Sequence, residues 1–109
     1  MIGRHWCGRA AAEDADGYLE HLRLSTLPQL ERIAGHRGAY VLRRVEGNGV
    51  AFVVLTLWDS LGSVRAFGGE KYETAVVPPE ARRLLSSFDD RAAHYEVAIG
   101  TTSGEGGQP

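Results

Sequence analysis

Cysteine is almost absent from this sequence, Cys7 being the only one in 109 residues. An intrachain disulfide and a cysteine-based zinc site are therefore excluded, and a single thiol fits a reducing compartment. Lysine is as scarce, with Lys71 alone among twelve basic residues. Fourteen acidic residues bring the net charge to -2, so the basic footprint of a nucleic-acid binder is missing, and no Lys/Arg-rich amphipathic helix points to a membrane surface. No apolar run approaches the roughly 18 residues that a membrane span needs. The N-terminus shows no charged segment followed by the apolar core of a secretory signal, and we expect a cytoplasmic protein. Histidine is limited to His5, His21, His36 and His94, whose spacing matches no metal-ligand pattern, and Gly68-Gly69 closes a helix instead of opening a phosphate loop. No metal is expected from these residues.

What is present is a stretch, Val50 to Trp58, in which Thr56 is the only residue that is not apolar. A strand with water on one face alternates apolar and polar, whereas both parities here are greasy, so both faces of a sheet must be covered. A composition of 43% hydrophobic and 24% charged residues suits one soluble domain, large enough to bury roughly 60 to 65% of its unfolded surface. Such a chain has helices for one face only. The other face is expected to meet a second copy.

The remaining elements follow from periodicity and punctuation. Ile2 to Arg9 reads as a first strand that carries Arg4, His5 and Arg9, whose polar groups need partners or a cavity if the strand is central. From Asp14 the pattern is helical, with Leu19, Leu22, Thr26, Leu30 and Ile33 on one stripe, Asp14 or Asp16 at the start and Gly35 at the stop. Pro28 falls inside the stripe and predicts a kink or break near Leu27. Gly38 to Glu46 is a second strand, joined by the turn Gly47-Asn48-Gly49 to the central one. Asp59-Ser60 caps a short helix with Leu61, Val64 and Phe67 inward. After a linker, Glu70 to Val77, Pro79 opens a helix that buries Ala81, Leu84, Leu85 and Phe88, and Arg91 to Ile99 is the last strand. Residues 1–99 form one domain, and the apolar-free tail 100–109 is expected to be flexible.

This order predicts an α+β, ferredoxin-like βαββαβ fold, a four-stranded antiparallel sheet with helices on one face. The uncovered apolar face predicts a homodimer joined sheet to sheet.

The strand ending in Trp58-Asp59-Ser60, the short helix to Phe67-Gly68 and the closing His94-Tyr95-Glu96-Val97, in that order and spacing, resemble the antibiotic biosynthesis monooxygenase family of the dimeric α+β barrel superfamily. The resemblance covers roughly residues 2 to 99. It implies a pocket between sheet and helices for a small aromatic or polyketide-derived molecule and, in some members, oxidation by molecular oxygen without metal, flavin or haem. No cofactor is expected on that basis. Trp58 matches the tryptophan of the anthrone oxygenases in this family, while Val54 and Val64 stand where those enzymes present an asparagine and a tyrosine.

Cofactor-free oxygenation needs a dry pocket, a base for an electron-rich phenol or enol, and donors for the resulting anion. His94 is the candidate base, with Arg4 or His5 as the anion partner. Trp6 and Trp58 are candidate walls, Phe52 and Val54 share the parity of Trp58, and Tyr72 could close the pocket. Arg4 and Trp6 share one face of the first strand, His5 and Cys7 the other, and the sequence leaves open which looks at the ligand. His21 reads as a residue at the solvent edge of its helix. Cys7, without an acid-base partner nearby, is not expected to be a nucleophile. A noncatalytic binding dimer and a cyclase or isomerase are the alternatives to the monooxygenase reading.

Overall fold

Strand β1, Ile2–Ala11, is the middle of the sheet. It pairs antiparallel along its whole length with β3, Gly49–Trp58, from Ile2 opposite Trp58 to Ala11 opposite Gly49. β2, His36–Glu46, forms the outer strand of a hairpin with β3. The turn between them has Gly47 at φ 58°, a left-handed conformation that costs glycine little. The computed structural model describes residues Met1–Thr101, so most of the tail 100–109 lies outside the described residues.

The far edge of β1 is where the expected four strands become five. β4, Ser87–Phe88, lies opposite Gly8 and Arg9, and β5, Ala93–Glu96, lies opposite Ile2 to His5. Two expectations are corrected here: Phe88 belongs to a strand instead of a helix, and the last strand is shorter than Arg91 to Ile99. The helix α4, Pro79–Leu84, stops because Leu85 is already extended (φ −101°, ψ 134°), and the Ser86 N–H then donates to the Arg9 carbonyl at 2.8 Å. Between β4 and β5 the chain leaves β1 and satisfies the linker instead. Ala75 N–H donates to Asp90 O and Ala92 N–H to Glu73 O, each at 2.8 Å. Buried or edge backbone groups need partners, and here they tie the linker 70–77 to the sheet.

The helical layer begins with α1, Ala12–His21. Neither Asp14 nor Asp16 caps it: Ala11 holds the cap position without a side-chain bond, the Ala12 N–H donates to Asn48 O at 3.1 Å, and Glu13 and Asp14 sit in the first turn, where they favour the dipole. A π-helical turn, Leu22–Thr26, follows and runs into α2, Leu27–Glu31. This is the form that the expected break takes. Pro28 has no N–H to give and its ring would strike the carbonyl of Leu24 in an α-helix, so the chain widens, and the Leu27 N–H reaches back to Leu22 O. The buried stripe accordingly reads Ala15, Tyr18, Leu22 and Leu30.

The two faces of the sheet differ as the strand parity demands. Phe52, Thr56 and Trp58 are buried under the helices, while Val53, Leu55 and Leu57 are only half-buried on the open face. Two core clusters result, one around Phe52, Tyr18 and Ala15, the other around Trp58, Leu30 and Val64. α3, Leu61–Gly68, closes the second cluster, with the Ser60 hydroxyl accepting from the Ser63 N–H at 3.3 Å. Leu61 is exposed, contrary to the expectation that it points inward. Among the described residues no helix is long and apolar enough to cross a membrane.

Candidate functional site

Between the two core clusters lies a cavity of about 70 Å³, walled by the π-helical turn and α1 on one side and by β1 and β3 on the other. Most of its lining is apolar: Trp6, Leu22, Leu30, Val54, Phe67 and Val77. The polar exceptions are Arg4, Tyr18, His21, Thr26 and Thr56. A shallower groove of about 260 Å³ adjoins it, sharing Thr26, Phe67, Val76, Val77 and Pro78 as a common wall.

Arg4 is the dominant group. Its position on β1 points it under the helices, where it is only 5% exposed. Every partner it has is neutral. Nη1 donates to the carbonyl of Tyr72 and to His94 Nε2, the latter at 2.9 Å, and Nη2 reaches Thr74 O at 3.5 Å. The guanidinium also lies 5.3 Å from the centre of the Phe67 ring, a cation–π contact. Burial pulls its pKa below the usual arginine value, yet a guanidinium stays protonated in proteins. Among the described residues no carboxylate forms an ion pair with it. A buried, unneutralised cation at the end of an apolar cavity is costly unless an anion joins it.

His94 does not line the cavity. It stands opposite Arg4 in the β1–β5 ladder, and since the guanidinium only donates, the Nε2 lone pair must accept. Burial, with Arg4 next and Glu73 opposing, holds His94 below the usual histidine pKa. Toward Arg4 it is a neutral acceptor. Tyr72 contributes its carbonyl to Arg4, while its ring stands edge-on to His94 at 5.1 Å and 5.4 Å from the Arg65 guanidinium. The linker that carries Tyr72 therefore orders Arg4 without its phenol entering the cavity.

The tryptophans divide. Trp6 lines the cavity, its ring folded over Gly8 and its Nε1 donating to Asp89 O at 2.7 Å. Trp58 is wholly buried behind the wall and gives Nε1 to Thr56 Oγ1 at 2.8 Å, which leaves the Thr56 hydroxyl its own proton to donate. Phe52 is likewise behind the wall, edge-on to Tyr18 at 5.0 Å. Val54 lines the cavity and Val64 does not. His5 is on the open face, where Nε2 comes within 3.9 Å of Cys7 Sγ, so the face of β1 that lines the cavity is that of Arg4 and Trp6. Burial, with Asp89 adding and Arg9 opposing, raises the Cys7 thiol, which suits an inert cysteine. The described residues hold no group of three or more His, Cys, Asp or Glu side chains placed to bind a metal.

Two residues were not legible as site residues. Tyr18 is buried against the cavity, and burial raises its phenol further above neutrality. His21 is half-buried, not at the solvent edge, and its Nε2 is sealed from solvent with no hydrogen-bond partner. The signal available for both was a spacing of three on one helix, Ala15, Tyr18, His21 and Leu22, which places them on the face that packs on the sheet.

No protein-family model and no curated protein matches the sequence. Solved structures do. A protein of Bacillus cereus assigned to the antibiotic biosynthesis monooxygenases superposes with a TM-score of 0.64 at 17% identity, over 93% of this chain and 96% of that one. A protein of Deinococcus radiodurans with the same assignment gives 0.63 at 18%, over 94% and 97%. MhuD of Mycobacterium tuberculosis, a heme-degrader with two hemes bound in its active site, gives 0.59 at 18%, over 93% and 99%. Nearly the whole chain is aligned in each case, so the buried-arginine cavity sits on an α+β, ferredoxin-like scaffold: this chain has the fold of the antibiotic biosynthesis monooxygenase-type proteins.

Proposed function

We propose that the chain is a homodimeric, monooxygenase-type protein that binds a small aromatic or polyketide-derived anion in the cavity at Arg4. The observation that carries this is Arg4 itself: a buried guanidinium held by neutral acceptors, at the end of an otherwise greasy cavity. An enolate or phenolate oxygen seated there completes a charge-assisted hydrogen bond. Stabilising that anion lowers the cost of deprotonating an electron-rich ring, whose proton passes to solvent water before the ring is enclosed, and molecular oxygen then takes electrons from the bound anion. In the balanced form, a one-ring hydroquinone becomes a hydroxyquinone: one oxygen of O₂ replaces a ring hydrogen, the ring supplies all four electrons, and the second oxygen leaves as water. His94 acts through Arg4, and Trp6 and Val54 form the wall beside the ring.

The haem of MhuD does not fit here, because a cavity of about 70 Å³ is far too small for a porphyrin. A second reading, binding without turnover, is favoured by the valine at position 54, which can neither donate a hydrogen bond nor relay a proton to a bound ring.

The experiment incubates the protein with a panel of hydroquinones and hydroxyanthrones, with and without oxygen, and follows oxygen uptake and product. Wild type is expected to consume one O₂ per product, and Arg4→Gln, checked for native fold, to lose at least about tenfold of the rate, the worth of one charge-assisted bond. Saturable binding without uptake selects the binding dimer, and product formed anaerobically selects a cyclase or isomerase. If no member of the panel binds, or Arg4→Gln binds and turns over as wild type does, the assignment of the cavity fails.

A further inference from the structure

The cavity has a second unsatisfied polar group, and it is neither on the sheet nor near Arg4 in sequence. His21 closes α1 at the point where the helix widens into the π-helical turn. Its ring lies 6.4 Å from that of Tyr18 and nearly parallel to it (21°), so its orientation is fixed by packing on a buried aromatic. The residue is part of the cavity wall, and its Nε2 is sealed from solvent and has no partner among the described residues. A buried polar atom left unpaired costs free energy, and such atoms are rare in folded proteins. His36 Nε2 is in the same state among the described residues, but its ring packs on Trp58 and does not line the cavity, whereas His21 does.

We infer that His21 is a ligand-contacting residue that fixes the substrate class: a small aromatic with an anionic oxygen at one end, held by Arg4, and a hydroxyl at the other, held by His21 Nε2. This rests on the assignment of the cavity to an anionic ring. Two polar groups at separate points of an apolar wall orient a ligand that carries matching groups and reject one lacking either. Neutral imidazole can donate or accept at Nε2 according to its tautomer, so either orientation of the ligand hydroxyl is served. The size of the space restricts the class further. About 70 Å³ in the inner cavity and about 260 Å³ in the adjoining groove reach together only the lower end of the roughly 300–1,000 Å³ of small-molecule sites. We therefore place a single ring across the inner part and the groove, with any remainder beside Gln29 and Glu80.

The test compares benzoate with 4-hydroxybenzoate by calorimetry on the full chain, in wild type, His21→Phe and Arg4→Gln. Wild type is expected to prefer 4-hydroxybenzoate by on the order of tenfold, the effect of leaving one buried polar group unpaired. His21→Phe should abolish that preference while still binding benzoate, and Arg4→Gln should weaken both probes together. In wild type the ¹⁵N resonance of His21 Nε2 should shift with 4-hydroxybenzoate and not with benzoate. Equal affinity for the two probes in wild type, or a preference unchanged in His21→Phe, overturns the role of His21 and leaves the cavity assignment standing. Failure of both probes to bind wild type, or binding indifferent to Arg4→Gln, strikes the cavity assignment itself and the role of His21 with it.

Discussion

Thr56 is the single polar residue of the apolar central strand, and the structure gives it a definite duty: its Oγ1 accepts the indole N–H of Trp58, both side chains being buried. Thr56→Val keeps the shape and orphans that N–H, so it should destabilise the fold by about 1–3 kcal/mol in denaturant unfolding with an unchanged m-value; a cost near zero would mean that the indole finds another acceptor. His94 makes a prediction in pH. Its folded pKa is depressed below the ordinary 6.5 by burial first and Arg4 second. Above pH 6.5 it is neutral in both states. Below that value the unfolded chain takes the proton before the folded one does, so stability falls as pH falls through the folded pKa and then levels off. His94→Gln keeps an acceptor for Arg4 without the titration and should flatten that part of the stability–pH curve; an identical curve would remove His94 as its source. Gly8 shows the same dependence on neighbours. A Cβ there would lie 2.9 Å from the Trp6 ring, so Gly8→Ala should displace the ring, weaken ligand affinity and shift the Trp6 fluorescence.

At the scale of elements the informative piece is the π-helical turn. It forms because Pro28 cannot continue an α-helix, and it is also a wall of the cavity, through Leu22 and Thr26. Pro28→Ala restores a backbone donor and removes the ring clash, so the α register can run from α1 into α2. The variant is expected to be more thermostable and to bind 4-hydroxybenzoate more weakly, because the widened turn that shapes the wall is lost. A stabilised variant that binds as wild type does would separate the turn from the site. The linker 70–77 works in a comparable way, since its carbonyls hold Arg4 and its strand-like bonds to residues 90–92 fix the carbonyls.

The molecule as a whole presents one sheet face to the helices and leaves the other open. That open face carries Tyr40 at 61%, Leu42 at 53% and Tyr95 at 61% exposure, around half-buried Val53, Leu55 and Leu57. A contiguous apolar face of this kind is unfavourable in water and is what a self-complementary dimer covers. Sedimentation at micromolar concentration is expected to give twice the chain mass, and Leu55→Glu, which sets a carboxylate in the middle of the face, to give a folded monomer. A wild-type monomer at that concentration would refute the dimer and leave the open face unexplained.

The order of the first three strands, the hairpin at Gly47-Asn48-Gly49, the burial of the Phe52/Thr56/Trp58 parity and the interruption at Pro28 were all legible in the sequence, because each rests on local stereochemistry or on a period of 2 or 3.6 residues. Arg4 and Trp6 could be placed on one face of β1 for the same reason. What no local rule decides is which groups meet across the chain. Phe88 leaves its helical pattern because Gly8 and Arg9 offer it a strand edge, and His94 becomes the acceptor for Arg4 because the β1–β5 register sets them opposite each other. His21 turns inward because the turn after it is π-helical and Tyr18 stacks beneath it. The sequence by itself determined the elements and their faces, through sterics and hydrophobic periodicity acting over a few residues. Only the tertiary structure decided where the unsatisfied charge and the unpaired imidazole lie, since desolvation and hydrogen-bond partnership depend on residues distant in the chain.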